Sequence, residues 1–145
     1  SSLEEKCGYY GEKLVLFAQE LGLNTCWVAM TYSKIKTAFQ VEKGEKLCIV
    51  IALGYGETQG LPHKSKSMEE VIQLDGPAPE WFQKGVEAAL LAPTAMNQQK
   101  FLFRLDKNRV SVKAGFGFYT KIDMGIVKYH FEIGAGKEHF QWELS

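Results

Sequence analysis

The sequence predicts an α+β protein, a sheet with helices packed over it, and three observations carry that prediction. Apolar residues recur at helical spacing between Tyr10 and Leu21. Two apolar runs flank the polar tetrapeptide Asp106-Lys-Asn-Arg109 in the manner of a β-hairpin. Helix and strand signals then interleave along the chain instead of falling into separate blocks. With 145 residues, the chain has the length of one ordinary domain.

Each element has its own justification. Tyr10, Leu14, Phe17, Ala18 and Leu21 define one apolar face of a helix over 10–21, and Gly22 follows as its C-terminal cap. Leu23 to Thr31 is apolar and small, too short for a second long helix, and reads as a buried link from helix to strand. Ser33 is placed to cap a short helix through Ala38. The run Leu47-Cys-Ile-Val-Ile-Ala-Leu53 reads as a strand covered on both faces. A polar, glycine-rich loop spans 54–65, with Lys64 and Lys66 at or just past its end. Ser67-Met-Glu-Glu70 has capping-box spacing and opens a brief helix through Ile72.

Asp75-Gly-Pro-Ala-Pro79 is the strongest break in the chain. A helix from about Pro79 to Leu91 follows, with Phe82, Val86, Ala89 and Leu90 on one face, and it stops before Pro93. Lys100–Leu105 and Val110–Ala114 form the hairpin strands. Thr120-Lys-Ile-Asp123 opens a helix to about Gly134, and Glu138 to Leu144 alternates as a last strand.

Composition narrows the function. Lysine plus arginine number 17 and aspartate plus glutamate 17, so the formal charge is zero. That balance argues against partners held by phosphate neutralisation, whether nucleic acid or an anionic membrane surface. Hydrophobic residues make up 46% and charged ones 23%, the composition of a soluble globular protein. No apolar run approaches the roughly 20 residues that span a bilayer. The first residues, Ser1-Ser-Leu-Glu-Glu-Lys6, lack an apolar stretch after a basic start, so the chain reads as cytoplasmic. Cys7, Cys26 and Cys48 are far apart, form no C-x-x-C pair and do not cluster with His63, His130 or His139. They read as mostly buried thiols, with no metal site.

Two patterns imitate sites. The apolar run ending at Leu53 leads into Gly54-Tyr-Gly56, but the third glycine, Gly60, is one place late for a dinucleotide fingerprint. Pro62 and His63 then delay any helix. Gly115-Phe-Gly117 is weaker still. No serine or cysteine has a nucleophile's context, and the carboxylates are scattered. Side-chain chemistry is thus poorly supplied, which leaves a cofactor to carry any reaction.

Three segments together resemble the FMN-dependent nitroreductase family. Ala18-Gln-Glu-Leu-Gly-Leu-Asn-Thr-Cys-Trp-Val28 resembles its A-x-x-L-G-L-x-T-C-W-(V/I) signature. His63-Lys-Ser-Lys-Ser-Met-Glu-Glu-Val71 is similar to its R-K-x-x-E-E-V segment, and Ala92-Pro-Thr-Ala-Met-Asn-Gln-Gln99 to its A-P-S-x-x-N-x-Q motif. The resemblance implies a mainly antiparallel sheet sandwiched by helices, incomplete at the N-terminus, with FMN as cofactor and NAD(P)H as reductant. It places Val28, Ala29, Met30 and Thr31 beside the reactive N5 region, and Lys64 and Lys66 at the phosphate. Pro93, Thr94, Ala95, Asn97 and Gln99 fall along the sugar-like chain and ring edge. Bottom-up, the residue types suit those tasks: small residues admit backbone N–H groups, ammonium groups meet phosphate as point charges, and hydroxyl and amides line a polar edge. The same residues also read as solvated lysines and as helix-end and turn formers, and those readings stay open here.

The motif order departs from the family. Ordinary members carry A-P-S-x-x-N-x-Q before G-L-x-T-C-W, just after an R-R-S-x-R segment, and here it comes later with no such segment. A branch with two half-domains fused into a pseudo-dimer has this order. On that resemblance residues 1–74 are the remainder of the first half and 75–145 the second. The partners implied are a small-molecule electron acceptor, nitroaromatic or quinone, and the missing N-terminal portion of the same protein or another copy. The alternative is a non-catalytic flavin-fold module.

Overall fold

The structure, a computed structural model, describes residues 2–33 and 39–143. The chain divides into two compact units, one of residues 14–60 and one of 1–13 together with 61–145. Helix α1, Leu3–Glu20, runs from one into the other. It begins seven residues before the expected Tyr10, in a stretch with few apolar residues. Ser2 Oγ accepts the Glu5 N–H at 3.3 Å, and Glu4 and Glu5 sit where the helix dipole favours acids. It ends as expected. Gly22 takes φ +77°, its N–H reaches Gln19 O at 3.0 Å, and the Leu23 N–H reaches Ala18 O at 3.0 Å, a Schellman closure.

In the 14–60 unit, the expected link after α1 is instead a strand. β1 (Asn24–Val28) pairs antiparallel with β2 (Val50–Gly54), from Asn24↔Gly54 to Val28↔Val50. β2 is not covered on both faces: its residues grade from half-buried to exposed. Its apolar run belongs to a two-stranded ribbon, which supplies no second layer. After Gly56 the chain has no helix before Ser67, so the dinucleotide reading has no element to rest on. The expected Ser33–Ala38 helix falls on 34–38, outside the described residues.

The larger unit carries a 3-10 turn (Met68–Glu70), β3 (Ile72–Gln73), α2 (Glu80–Ala89), β4 (Phe101–Asp106) and β5 (Arg109–Ala114). After these come α3 (Thr120–Ala135), a second 3-10 turn (Lys137–His139) and β6 (Gln141–Trp142). The capping box forms, with the Ser67 N–H donating to Glu70 Oε2 at 2.8 Å, but it holds one turn only, and Ile72 already belongs to β3. The hairpin is in the expected place. The sheet, in the order β3-β4-β5-β6, is mixed rather than mainly antiparallel: β3 and β6 run parallel to their neighbours. β6 is shorter than expected because Gly136 (φ +77°) stops α3 and the 3-10 turn intervenes, while Leu144 lies outside the described residues.

Phe82 of α2, Phe103 of β4 and Phe131 of α3 are all 0% exposed. The Phe103 and Phe131 rings stack at 4.8 Å, and Phe82 meets Phe131 edge-on at 5.6 Å. The expected apolar face of α2 is the buried one. The sheet is not sandwiched: α2 and α3 cover one face, while Arg104, Arg109, Ser111 and Lys113 line an open depression of about 420 Å³ on the other.

Two further expectations change. Of the predicted apolar face of α1 only Ala18 is buried, and Tyr10, Leu14, Phe17 and Leu21 are 56–65% exposed. Periodicity reports that a helix has an apolar face, not that the chain contains its cover. α1 packs instead through Gly8 and the buried Glu12, whose Oε1 lies 2.7 Å from His130 Nε2. The thiols are not buried either: Cys26 is exposed on the β1 ribbon, and Cys7 and Cys48 are half-buried.

Candidate functional site

The site builds on the end of α2. Pro93 stops the helix, and the chain enters a tight turn over Ala95–Asn97. Met96 and Asn97 both take φ +52° and Gln99 φ +43°, so three non-glycine residues within four positions are left-handed. Each such residue costs of order 1 kcal/mol, which persists only where the surroundings over-determine the conformation.

Gln99 supplies much of that constraint. It is 3% exposed. Its Oε1 accepts the Lys66 N–H at 2.9 Å, and its Nε2 donates to Lys64 O at 2.9 Å and to Asn97 Oδ1 at 2.8 Å. Its backbone N–H donates to Thr94 Oγ1 at 3.0 Å, and its carbonyl accepts Lys66 Nζ at 3.0 Å. Asn97 Nδ2 also donates to Lys64 O at 2.9 Å. His63 Nε2 and Ser65 Oγ both lie against Leu90 O, at 2.9 and 3.1 Å, tying the lysine segment to the end of α2.

Lys64, Lys66, Thr94, Asn97 and Gln99, five residues chosen from the sequence, are therefore laced together in one unit, with Pro93 and Ala95 on the same turn. Val28 closes β1 and Ala29, Met30 and Thr31 follow it as a bend in the 14–60 unit, where Met30 is 82% exposed. The polar inventory divides by task. The Gln99 amide and both ends of the Asn97 amide are taken up by the frame. Lys64 Nζ has no hydrogen-bond or ion-pair partner among the described residues, Lys66 Nζ has one carbonyl partner, and the Thr94 hydroxyl serves as an acceptor.

Asp123, in the first turn of α3, escaped the sequence reading as a site residue. It is 6% exposed; its Oδ1 accepts the Ala95 N–H at 3.0 Å and its Oδ2 accepts Gln98 Nε2 at 2.6 Å. Burial pushes its carboxyl above the ordinary aspartate range, and the Gln98 and Ala95 donors oppose that rise. Gln98 Nε2 also donates to Phe118 O at 2.8 Å, and a Cβ on Gly117 would come within 2.4 Å of Gln98 Oε1. The only hint in the sequence was the Thr120-x-x-Asp123 spacing of a helix start, yet the structure uses this carboxylate on a different loop.

Comparison with known proteins bears on this arrangement. Residues 1–135 match the family described as "Putative TM nitroreductase". The chain belongs to that family. A solved structure of a "putative nitroreductase" from Thermotoga maritima superposes with a TM-score of 0.69 at 23% identity, covering 90% of this chain and 54% of that one. At that identity the likeness speaks for the nitroreductase fold alone. The chain thus spans about half the length of the structure it matches. No protein of curated function matches it. The α+β architecture, three helices with mixed and antiparallel sheets, is that of part of this nitroreductase-like structure. Among the described residues no helix is long and apolar enough to cross a membrane, and no group of three His, Cys, Asp or Glu side chains could hold a metal ion.

Proposed function

We propose that the chain is the C-terminal part of an FMN-dependent oxidoreductase of the nitroreductase type, taking electrons from NAD(P)H and passing them to a nitroaromatic, quinone or similar acceptor. The observation that supports this most is the lacing of Lys64–Lys66 onto the left-handed 94–99 turn, which gathers two of the three family-like segments into one site. The donor set suits a phosphate-bearing planar ligand. Lys64 and Lys66 keep ammonium hydrogens available for an anion, and the Thr94 hydroxyl is left able to donate. Gln99 and Asn97 hold the frame that presents them. Ala29 is small enough for backbone N–H groups of 28–31 to approach a ring.

When bound, FMN supplies the capacity to accept and release two electrons. The residues of this chain bind, orient and electrostatically tune. None is assigned a proton transfer. In this proposal 1–74 completes a first half-domain and 75–145 forms a second. The bare face of α1 is the seat for the remainder of the first half, supplied by a longer chain or another copy. That bare face, with coverage of 54% of the Thermotoga structure, also favours a second reading, in which this chain is a supporting module without turnover of its own.

Equilibrium dialysis with FMN tests the first reading, followed by addition of NAD(P)H and a quinone. A bound yellow chromophore that NAD(P)H bleaches and the quinone restores supports it. A chromophore that NAD(P)H leaves unchanged supports the module, and a colourless protein, in the longer chain as well, removes both.

A further inference from the structure

Asp123 is a buried carboxylate with no cation against it. Both its oxygens are spent on the loop 94–99, which belongs to a different segment. Among the described residues no lysine, arginine or histidine forms an ion pair with it. A carboxylate buried on neutral donors alone is a poor stabiliser, because its desolvation is only partly recovered. The loop it holds is strained at Met96, Asn97 and Gln99, and its outer surface is open: Met96 is 80% exposed and Asn97 is exposed as well. Strain of this kind is retained where the shape of the loop matters more than its stability.

The anchoring is directional. The Ala95 N–H, at the start of the turn, donates to Asp123 Oδ1. Gln98 is fixed by two acceptors on one nitrogen, Asp123 Oδ2 and Phe118 O, so its position depends on both. Gly117 is needed beside it, since any side chain there would displace the amide.

We propose that Asp123 is a positioning residue, holding the left-handed Met96–Asn97 turn through the Ala95 N–H and the Gln98 amide so that the loop is preformed for its ligand. This rests on the flavin reading of the same loop for the identity of that ligand, but the hold on the loop is a property of this chain alone. Asp123 touches no ligand in this account. It acts by keeping the loop from sampling the right-handed conformations its residue types prefer.

The test uses Asp123→Asn, nearly identical in shape. Its oxygen can still accept the Ala95 N–H, but its amide nitrogen then faces the Gln98 nitrogen, donor against donor. Two readouts are taken on the full chain: amide hydrogen exchange at Ala95, Asn97 and Gln99, and affinity for free FMN. Exchange at those amides is expected to speed up by about tenfold or more, and FMN affinity to fall by a similar factor, with the circular dichroism spectrum unchanged. Gln98→Glu sets a carboxylate against both Asp123 Oδ2 and Phe118 O, removing the same hold from its other end. It is therefore expected to speed exchange at those amides as well, and the double variant with Asp123→Asn should fall well short of the sum of the two. Unchanged exchange in Asp123→Asn overturns the proposal. So does a variant whose FMN affinity is intact although exchange has risen. Should the wild-type chain bind no FMN, the flavin reading fails for this chain, while the exchange measurement and the non-additivity of Asp123→Asn with Gln98→Glu still decide whether Asp123 holds the loop.

Discussion

Helices α1 and α3 are built alike and finished differently. They cross with their backbones touching. A Cβ on Gly8 would lie 2.0 Å from Ile122 O, and one on Gly125 would lie 2.0 Å from Glu5 O. When the two glycines are matched, Tyr10 corresponds to Val127 and Leu14 to Phe131. On α3 those positions are 0% exposed, buried against α2 and the sheet. On α1 they are 62% and 65% exposed. Equivalent helical faces thus have opposite environments, and what separates them is one layer of helix and sheet. The other side of α1 is well tied. Lys128 pairs with Glu5 at 2.6 Å, Tyr9 donates to Glu132, and Glu12 meets His130.

The largest expected effect comes from emptying the covered face. Phe131→Ala removes a ring that touches Phe82, Phe103, Phe140 and Trp142, and should cost about 3–5 kcal/mol in urea denaturation. Leu14→Ala, its counterpart on α1, should cost less than about 0.5 kcal/mol in this 145-residue chain, net of its helix propensity. In a longer protein that supplies the missing layer, the Leu14→Ala cost should climb to about 2 kcal/mol or more. A large cost for Leu14→Ala in the short chain would show that the face is already covered, and the contrast would be broken.

Next in size is the buried tie between the helices. His130 Nδ1 lies 3.1 Å from Ala88 O, an oxygen that can only accept, so Nδ1 donates there. Nε2 lies 2.7 Å from Glu12 Oε1, a contact that is a hydrogen bond only with a proton shared between those two atoms. Glu12→Ala leaves Nε2 of the imidazole without this partner in a buried place and should cost about 3 kcal/mol. Glu12→Gln keeps a hydrogen-bonding group of the same length and should cost about 1 kcal/mol. Equal costs would mean that volume, rather than the polar tie, holds α1 on α3.

The crossing itself is a symmetric test. Gly8→Ala and Gly125→Ala each drive a methyl into backbone on the opposite helix, and each should cost about 1–3 kcal/mol. Because one separation of the helices relieves both clashes, the double variant should fall well short of the sum. Full additivity would show that the two contacts do not belong to one crossing.

These contrasts also mark what the sequence disclosed. Local signals were reliable: Gly22 ended α1, the Phe82–Val86–Ala89 stripe faced the core, and the hairpin around Asp106–Arg109 formed. Signals that needed a partner were not. The stripe Tyr10–Leu14–Phe17–Leu21 and the run Leu47–Leu53 asked for cover, and no spacing along a chain says whether cover exists. At the site, Lys64, Thr94 and Asn97 could be singled out because they lie in family-like segments. Gln99 as a hub and Asp123 as an anchor could not, because both act across about 25–35 positions of sequence on backbone groups, which carry no letter.

The smallest effect compares the helix starts. Matching the crossing glycines pairs Asp123 with Lys6, and the α1 residue is exposed where the α3 residue is buried under the 94–99 loop. Burial raises the folded-state pKa of Asp123 above its unfolded value, so the folded chain holds that proton more tightly. The contribution to stability is therefore full below the ordinary aspartate range and is lost as pH rises through the raised value. The difference in thermal midpoint between wild type and Asp123→Asn isolates it from the other carboxylates. That difference should shift against the wild type as pH rises from below about 4 toward neutrality. Lys6→Gln should show no such trend over the same window. A difference curve that runs the other way would mean that the Ala95 and Gln98 donors outweigh burial, and that the loop holds the carboxylate as firmly as the carboxylate holds the loop.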